Sequence, residues 1–108
     1  MTGEQDPVAA GTRAENRRTI LVVEDEILIR SAVALHLRDA GHAVIEAGNA
    51  DEALRALTAD RSVVLVFSDV NMPGTMDGLA LARAIRRDRP GLKVVLASGG
   101  GWKNGTEI

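Results

Sequence analysis

The stretch Val63–Gly78 reads VVLVFSDVNMPGTMDG and decides the fold of this chain of 108 residues. Its first five residues, Val63–Phe67, are apolar without alternation, which is typical of a strand buried on both faces of a parallel sheet. The run ends in Ser68 and in the carboxylate of Asp69. Ligand chemistry in open parallel α/β sheets gathers at the carboxyl ends of the strands. Asp69 is therefore the first candidate functional residue.

Asp69 also has a simpler interpretation as a turn residue. The segment after it is rich in proline, glycine and aspartate, and an aspartate in such a segment most often bonds its own backbone. A functional role therefore requires a second polar group at the same edge. The apolar run Thr19–Val23 ends abruptly in Glu24–Glu26. If the two strands are parallel neighbours, these carboxylates converge with Asp69.

A helix over Ile27–Ala40 is predicted after the first strand. Its apolar residues recur at the spacing of one helical face, and Gly41 follows as a stop signal. The predicted buried stripe consists of Ile29, Val33 and Leu37, widened by Leu28, Ala32 and Leu35.

Strand and helix patterns continue to alternate through the rest of the chain. They are a strand at Ala43–Ala47, a helix capped by Asn49 with Leu54 and Leu57 on its apolar face, a helix with Leu79, Ala82 and Ile85, and a strand at Leu92–Ala97. The order β-α-β-α-β-α-β with right-handed crossovers predicts an α/β fold, a parallel sheet covered on both faces.

Composition excludes several classes of function. The 13 basic and 15 acidic residues give a net charge of -2, and the chain has only two aromatic residues, so direct binding of nucleic acid is not expected. Cysteine is absent, which excludes disulfides, thiolate nucleophiles and cysteine metal sites. Neither a membrane-spanning run nor a secretory signal is present, and a cytoplasmic location is predicted. Residues 1–18 are polar and aperiodic and predict a disordered tail.

The predicted sheet brings polar side chains from three strands to one edge: Glu24 and Asp25, then Asp69, then Ser98. Three ionised carboxylates repel one another, so a bound cation would stabilise the cluster. A set of ligands that are all oxygen atoms is the kind that Mg²⁺ prefers. Mg²⁺ shares its coordination shell readily with phosphate oxygens, and aspartate is an established nucleophile for phosphoryl transfer.

Four segments together resemble the receiver domain of two-component response regulators. They are Val22–Glu26, Ser68–Gly74, Met76–Gly78 and Val94–Gly99, and the resemblance extends over Ile20–Gly99. It implies a flavodoxin-like, doubly wound parallel sheet of strand order 2-1-3-4-5. The implied function is that of a signalling switch and phosphoacceptor, not of an enzyme, with at most slow autodephosphorylation.

The resemblance also implies roles for individual residues. Asp69 would accept the phosphoryl group from a histidine kinase or a histidine phosphotransfer protein. Asp25 would ligate Mg²⁺ together with Asp69, Glu24 would lie beside the ion, and Asn71 would contribute its backbone carbonyl. Ser98 corresponds to the switch hydroxyl that follows the phosphoryl group inward.

The C-terminal part departs from the family pattern. The family has a fifth strand that ends in a lysine, reached through a fourth helix, and Lys103 lies too close to Ser98 to correspond to it. We therefore predict a partial receiver domain at residues 19–99, with strand order 2-1-3-4, the fifth strand and the last helices missing or truncated, and a non-matching tail at 100–108. The fourth strand, Val94–Ala97, would then be a bare apolar edge.

Two other functions stay open at this point. A truncated chain could be a phosphorylation-independent interaction module that forms a homodimer through the exposed fourth strand. A metal-dependent phosphatase with an aspartate nucleophile is less favoured, because such enzymes place a second acid two residues after the nucleophile, where this chain has Asn71.

Overall fold

This computed structural model describes residues 18–74, 76–98 and 101–107, so the predicted tail lies outside the described residues except for Arg18. Strands and helices alternate as the sequence predicts up to residue 98, and a further strand follows. They are β1 (Thr19–Val23), α1 (Ile27–Asp39), β2 (Ala43–Ala47), α2 (Ala50–Ala59), β3 (Val63–Asp69), α3 (Gly78–Asp88), β4 (Lys93–Ser98) and β5 (Gly101–Glu107). None of the described helices is both long enough and apolar enough to cross a bilayer.

The five strands form one sheet in the order β2-β1-β3-β4-β5. The first four strands are parallel, which confirms the doubly wound α/β fold and the predicted order 2-1-3-4. β1 is an interior strand, in which Leu21 pairs with Ile45 of β2 and with Val66 of β3. All five residues of β1 are buried, as its unbroken apolar run requires.

The prediction of a bare edge at the fourth strand is wrong. β5 pairs antiparallel with β4, with Ser98 opposite Gly101 and Ala97 opposite Trp102. The segment predicted as a non-matching tail thus satisfies backbone groups that β4 would otherwise expose. The alternative function, a homodimer formed through an exposed fourth strand, is therefore not favoured. The sequence feature that could have indicated a pairing of this kind is Gly99-Gly100, because two consecutive glycines are favoured in short hairpin connections. These two glycines lie outside the described residues.

The main hydrophobic core lies between the sheet and the helices α2 and α3. Leu21 and Val66 from the sheet and Leu81 from α3 are fully shielded from solvent there. α3 also contributes Ala82 and Ile85 to this core, and its Gly78 and Ala84 are buried as well.

α1 lies on the opposite face of the sheet, because a right-handed crossover from β1 to β2 runs in the other direction from the crossovers that carry α2 and α3. Only Ala34 of α1 is buried. The predicted stripe is wrong for its central member Ile29, which is 48% exposed, and for the widening residues Leu28 (82%) and Leu35 (60%). No other described helix lies on this face, so α1 buries only the narrow side that touches the sheet.

Candidate metal site

Three carboxylates meet at the carboxyl edge of the sheet. Val23 of β1 pairs with Ser68 of β3, so the next residues, Glu24 and Asp69, follow neighbouring strands at the same end of the sheet. One carboxylate oxygen from each of Glu24, Asp25 and Asp69 lies within 4.8 Å of the other two. The convergence that the sequence predicts is therefore observed.

Asp69 is half-buried at the end of β3, and its Oδ1 accepts a hydrogen bond from the Asn71 N–H at 3.2 Å. The turn interpretation is thus also correct. An ionised carboxylate offers about four acceptor positions, so this bond leaves capacity for a cation. Ser68 is fully buried, and its Oγ donates to the Asp69 carbonyl oxygen at 3.0 Å.

The start of α3 fixes the loop that follows Asp69. The Asp77 carboxylate caps the helix by accepting from the Ala80 N–H at 2.9 Å. The Gly78 N–H bonds the Val70 carbonyl, also at 2.9 Å. A Cβ on Gly78 would collide with the Asp69 carbonyl group, so only glycine allows the helix to approach the strand this closely. Sequence reasoning did not assign this role to Gly78.

Glu24 lies in a short turn between β1 and α1. Its Oε2 accepts from the Glu26 N–H at 3.0 Å, and its own N–H bonds the Ala47 carbonyl at 3.0 Å. Partial burial raises the pKa of Glu24 above its ordinary value, and the negative charge of Asp69 adds to this, whereas the Glu26 N–H opposes it. The cluster therefore carries unfavourable negative charge that a cation would relieve.

A pH dependence follows from this raised pKa. The folded chain binds the Glu24 proton more tightly than the unfolded chain does, so the stability linked to this group is full below the ordinary value of 4.5 and is lost as pH rises through the higher folded value. We expect metal-free Glu24→Gln to be more stable than wild type near neutral pH. Urea unfolding from about pH 4 to about pH 7 checks this. A stability difference between variant and wild type that stays constant with pH would contradict it.

The donor set fits Mg²⁺. All three side chains supply oxygen, and two ligands of one Mg²⁺ stand about 3–4 Å apart. Glu24, Asp25 and Asp69 would hold the ion directly or partly through water.

Two further predicted site residues lie at the same edge. Ser98 ends β4 directly after Ala97, which pairs with Asp69. Its side chain lies outside the described part of the structure, so its role stays a prediction. Asn71 follows Asp69 by two residues, and the metal-binding role of its carbonyl also stays a prediction. The resemblance implies a lysine from the end of a fifth parallel strand, but β5 is antiparallel and its last residue, Glu107, pairs with Val95 and not with a residue at the carboxyl end of β4.

The structure is thus a doubly wound parallel α/β sheet whose first and third strands end at one acidic cluster. Comparison with known families agrees with this. The family described as the response regulator receiver domain matches residues 20–105. This chain belongs to that family. The match continues beyond residue 99, the predicted end of the domain.

Curated relatives include regulators and a kinase. The phosphate regulon transcriptional regulatory protein PhoB of Pseudomonas aeruginosa is 42% identical over 71 residues, which cover 66% of this chain and 30% of that protein. Sensor kinase CckA of Brucella abortus is 34% identical over 100 residues, which cover 92% of this chain and 10% of that protein. The chain thus spans less than a third of the length of either relative.

Solved structures with the same fold include two informative receivers. The receiver domain of NtrX from Brucella abortus is 46% identical with a TM-score of 0.69, and the match covers 72% of this chain and 65% of that one. The response regulator TrrA from Thermotoga maritima, solved in complex with Mg²⁺-BeF, is 34% identical with a TM-score of 0.70. That match covers 75% of this chain and 69% of TrrA.

Proposed function

We propose that this chain is a phosphoacceptor module of a two-component phosphorelay, phosphorylated on Asp69 in the presence of Mg²⁺. The observation that carries the proposal is the approach of three carboxylate oxygens, from Glu24, Asp25 and Asp69, to within 4.8 Å of one another. Glu24, Asp25, Asp69 and the carbonyl of Asn71 would hold the ion. The TrrA structure supports this assignment, because that response regulator was solved in complex with Mg²⁺-BeF.

The proposed donor is a histidine kinase or a histidine phosphotransfer protein. A carboxylate oxygen of Asp69 attacks the phosphorus of the phosphohistidine, an O–P bond forms, the P–N bond breaks, and the imidazole nitrogen takes up a proton. Bound Mg²⁺ supplies positive charge to the phosphoryl oxygens. The bond from the Asn71 N–H holds one oxygen of Asp69, which orients the carboxylate for attack.

The phosphorylated chain acts as a switch and not as an enzyme that turns over a substrate. The Ser98 hydroxyl would donate to a phosphoryl oxygen and draw the end of β4 toward Asp69. Water then removes the phosphoryl group slowly. We place this relay in the cytoplasm.

The test is labelling by a small phosphodonor. We expect acetyl phosphate to phosphorylate the chain only when Mg²⁺ is present, as intact mass or a phosphate-affinity gel would record. Asp69→Asn should abolish the label. Asp88→Asn, which removes an exposed carboxylate at the far end of α3, should retain it. Absence of label on the wild-type chain with Mg²⁺ and donor in excess would refute the proposed function.

A further inference from the structure

Arg30 of α1 ties the acidic turn to a neighbouring strand. One of its terminal nitrogens donates to the backbone carbonyl of Glu24 at 2.9 Å, and its Nε lies 3.3 Å from Oε1 of Glu46 in β2. The Arg30 side chain is only 18% exposed. A single guanidinium thus joins the residue before Asp25 to the edge strand of the sheet.

The surroundings hold this guanidinium in place. A second arginine, Arg38, lies 3.1 Å from the other carboxylate oxygen of Glu46 and donates to the Val44 carbonyl at 3.0 Å, so Glu46 is fixed from both sides. Gly48 leaves the space that the Arg30 guanidinium needs, because a Cβ there would lie 3.2 Å from its nitrogen.

The contact of Arg30 is with a carbonyl and not with a carboxylate. The Glu24 carbonyl belongs to the rigid peptide plane that joins Glu24 to Asp25, so the bond from Arg30 restrains the orientation of the backbone from which both side chains leave. Without a cation the carboxylates of Glu24, Asp25 and Asp69 repel one another, which favours opening of the turn. The bond from Arg30 opposes that opening.

We propose that Arg30, itself held by Glu46, is a positioning residue that keeps the Glu24–Asp25 turn in the geometry that binds a divalent cation. This inference rests on the proposed function insofar as it requires a cation at the acidic cluster. It adds two residues, Arg30 and Glu46, that touch neither the cation nor the phosphoryl group.

The direction in which Mg²⁺ affinity changes when Arg30 is removed distinguishes a positioning role from a purely electrostatic one. If Arg30 acted only through its positive charge, its removal would make the cluster more negative and would tighten the binding of Mg²⁺. If Arg30 acts by holding the turn, its removal weakens binding, typically by about tenfold to a hundredfold for groups that orient metal ligands.

The experiment compares Arg30→Met with Arg38→Met in the full chain. Both variants remove one positive charge and one contact with Glu46, but only Arg30 reaches the Glu24 carbonyl. We expect Arg30→Met to weaken Mg²⁺ binding by about tenfold in titration calorimetry, and Arg38→Met to leave it within about twofold. In the metal-free state, amide exchange at Glu26, whose N–H bonds the Glu24 carboxylate, should accelerate in Arg30→Met alone.

Gly48→Ala provides a second variant that keeps every charge. Its added methyl group would press on the Arg30 guanidinium and should weaken Mg²⁺ binding by a smaller factor, which keeps the inference testable if Arg30→Met does not fold. Unchanged or tighter Mg²⁺ binding by Arg30→Met would overturn the inference. If Arg30→Met does not fold, the same result for a folded Gly48→Ala would overturn it. In either case the proposed function would still stand. A wild-type chain that binds no Mg²⁺ would overturn both.

Discussion

Replacing Leu81 with alanine should lower the free energy of unfolding by about 3 kcal/mol. Leu81 has no exposed surface and belongs to the core between α3 and the sheet. The loss combines the burial of the removed carbon atoms with the cavity they leave behind. For a chain of this size it corresponds to a fall in melting temperature of roughly 12–20 °C. Urea unfolding followed by circular dichroism measures it.

The matched control is Leu28→Ala on α1, which makes the same chemical change on another helix. Leu28 is 82% exposed, so this substitution should change the free energy of unfolding by about 0.5 kcal/mol or less. A large loss for Leu28→Ala, or a small one for Leu81→Ala, would contradict the assignment of the two helix faces.

Helices α1 and α3 show where sequence periodicity succeeds and where it fails. Periodicity identifies residues that share a helix face, and it correctly predicted three helices and four parallel strands. It does not show whether another element covers that face, and for α1 it placed Leu28 in a buried stripe that the fold leaves open. In α3 it correctly placed Ala82 and Ile85 among the buried residues, whereas Leu81 and Gly78, which are also buried, were not in the predicted set.

Part of the candidate site could likewise be predicted from the sequence, and part could not. The meeting of Glu24, Asp25 and Asp69 could be predicted, because each follows an apolar run and the topology brings parallel strand ends together. The contact between Arg30 and Glu46 spans 16 residues and leaves no local pattern. The antiparallel pairing of β5 was missed because its residues are polar and aperiodic, and pairing at a sheet edge depends mainly on backbone groups.

Gly78→Ala should both destabilise the fold and impair the proposed phosphorylation. An added Cβ would meet the carbonyl oxygen of Asp69 and would lie 2.8 Å from its carbonyl carbon and 2.9 Å from Cα of Val70. Backbone atoms cannot rotate away as a flexible side chain can, so the end of β3 and the start of α3 must separate. We expect a net loss of about 2 kcal/mol, because overpacking outweighs the gain of at most about 1 kcal/mol in helix propensity.

The same displacement moves Asp69 relative to Glu24 and Asp25. Labelling by acetyl phosphate should slow by roughly tenfold to a hundredfold, since an error of about an ångström in a reacting group can cost that much. Gly91→Ala is the control, because no described atom lies within 4 Å of its Cβ position. Rates should be compared at a temperature where both variants remain folded. If Gly78→Ala matched Gly91→Ala in stability and in labelling, the close approach of α3 to Asp69 would have no part in forming the site.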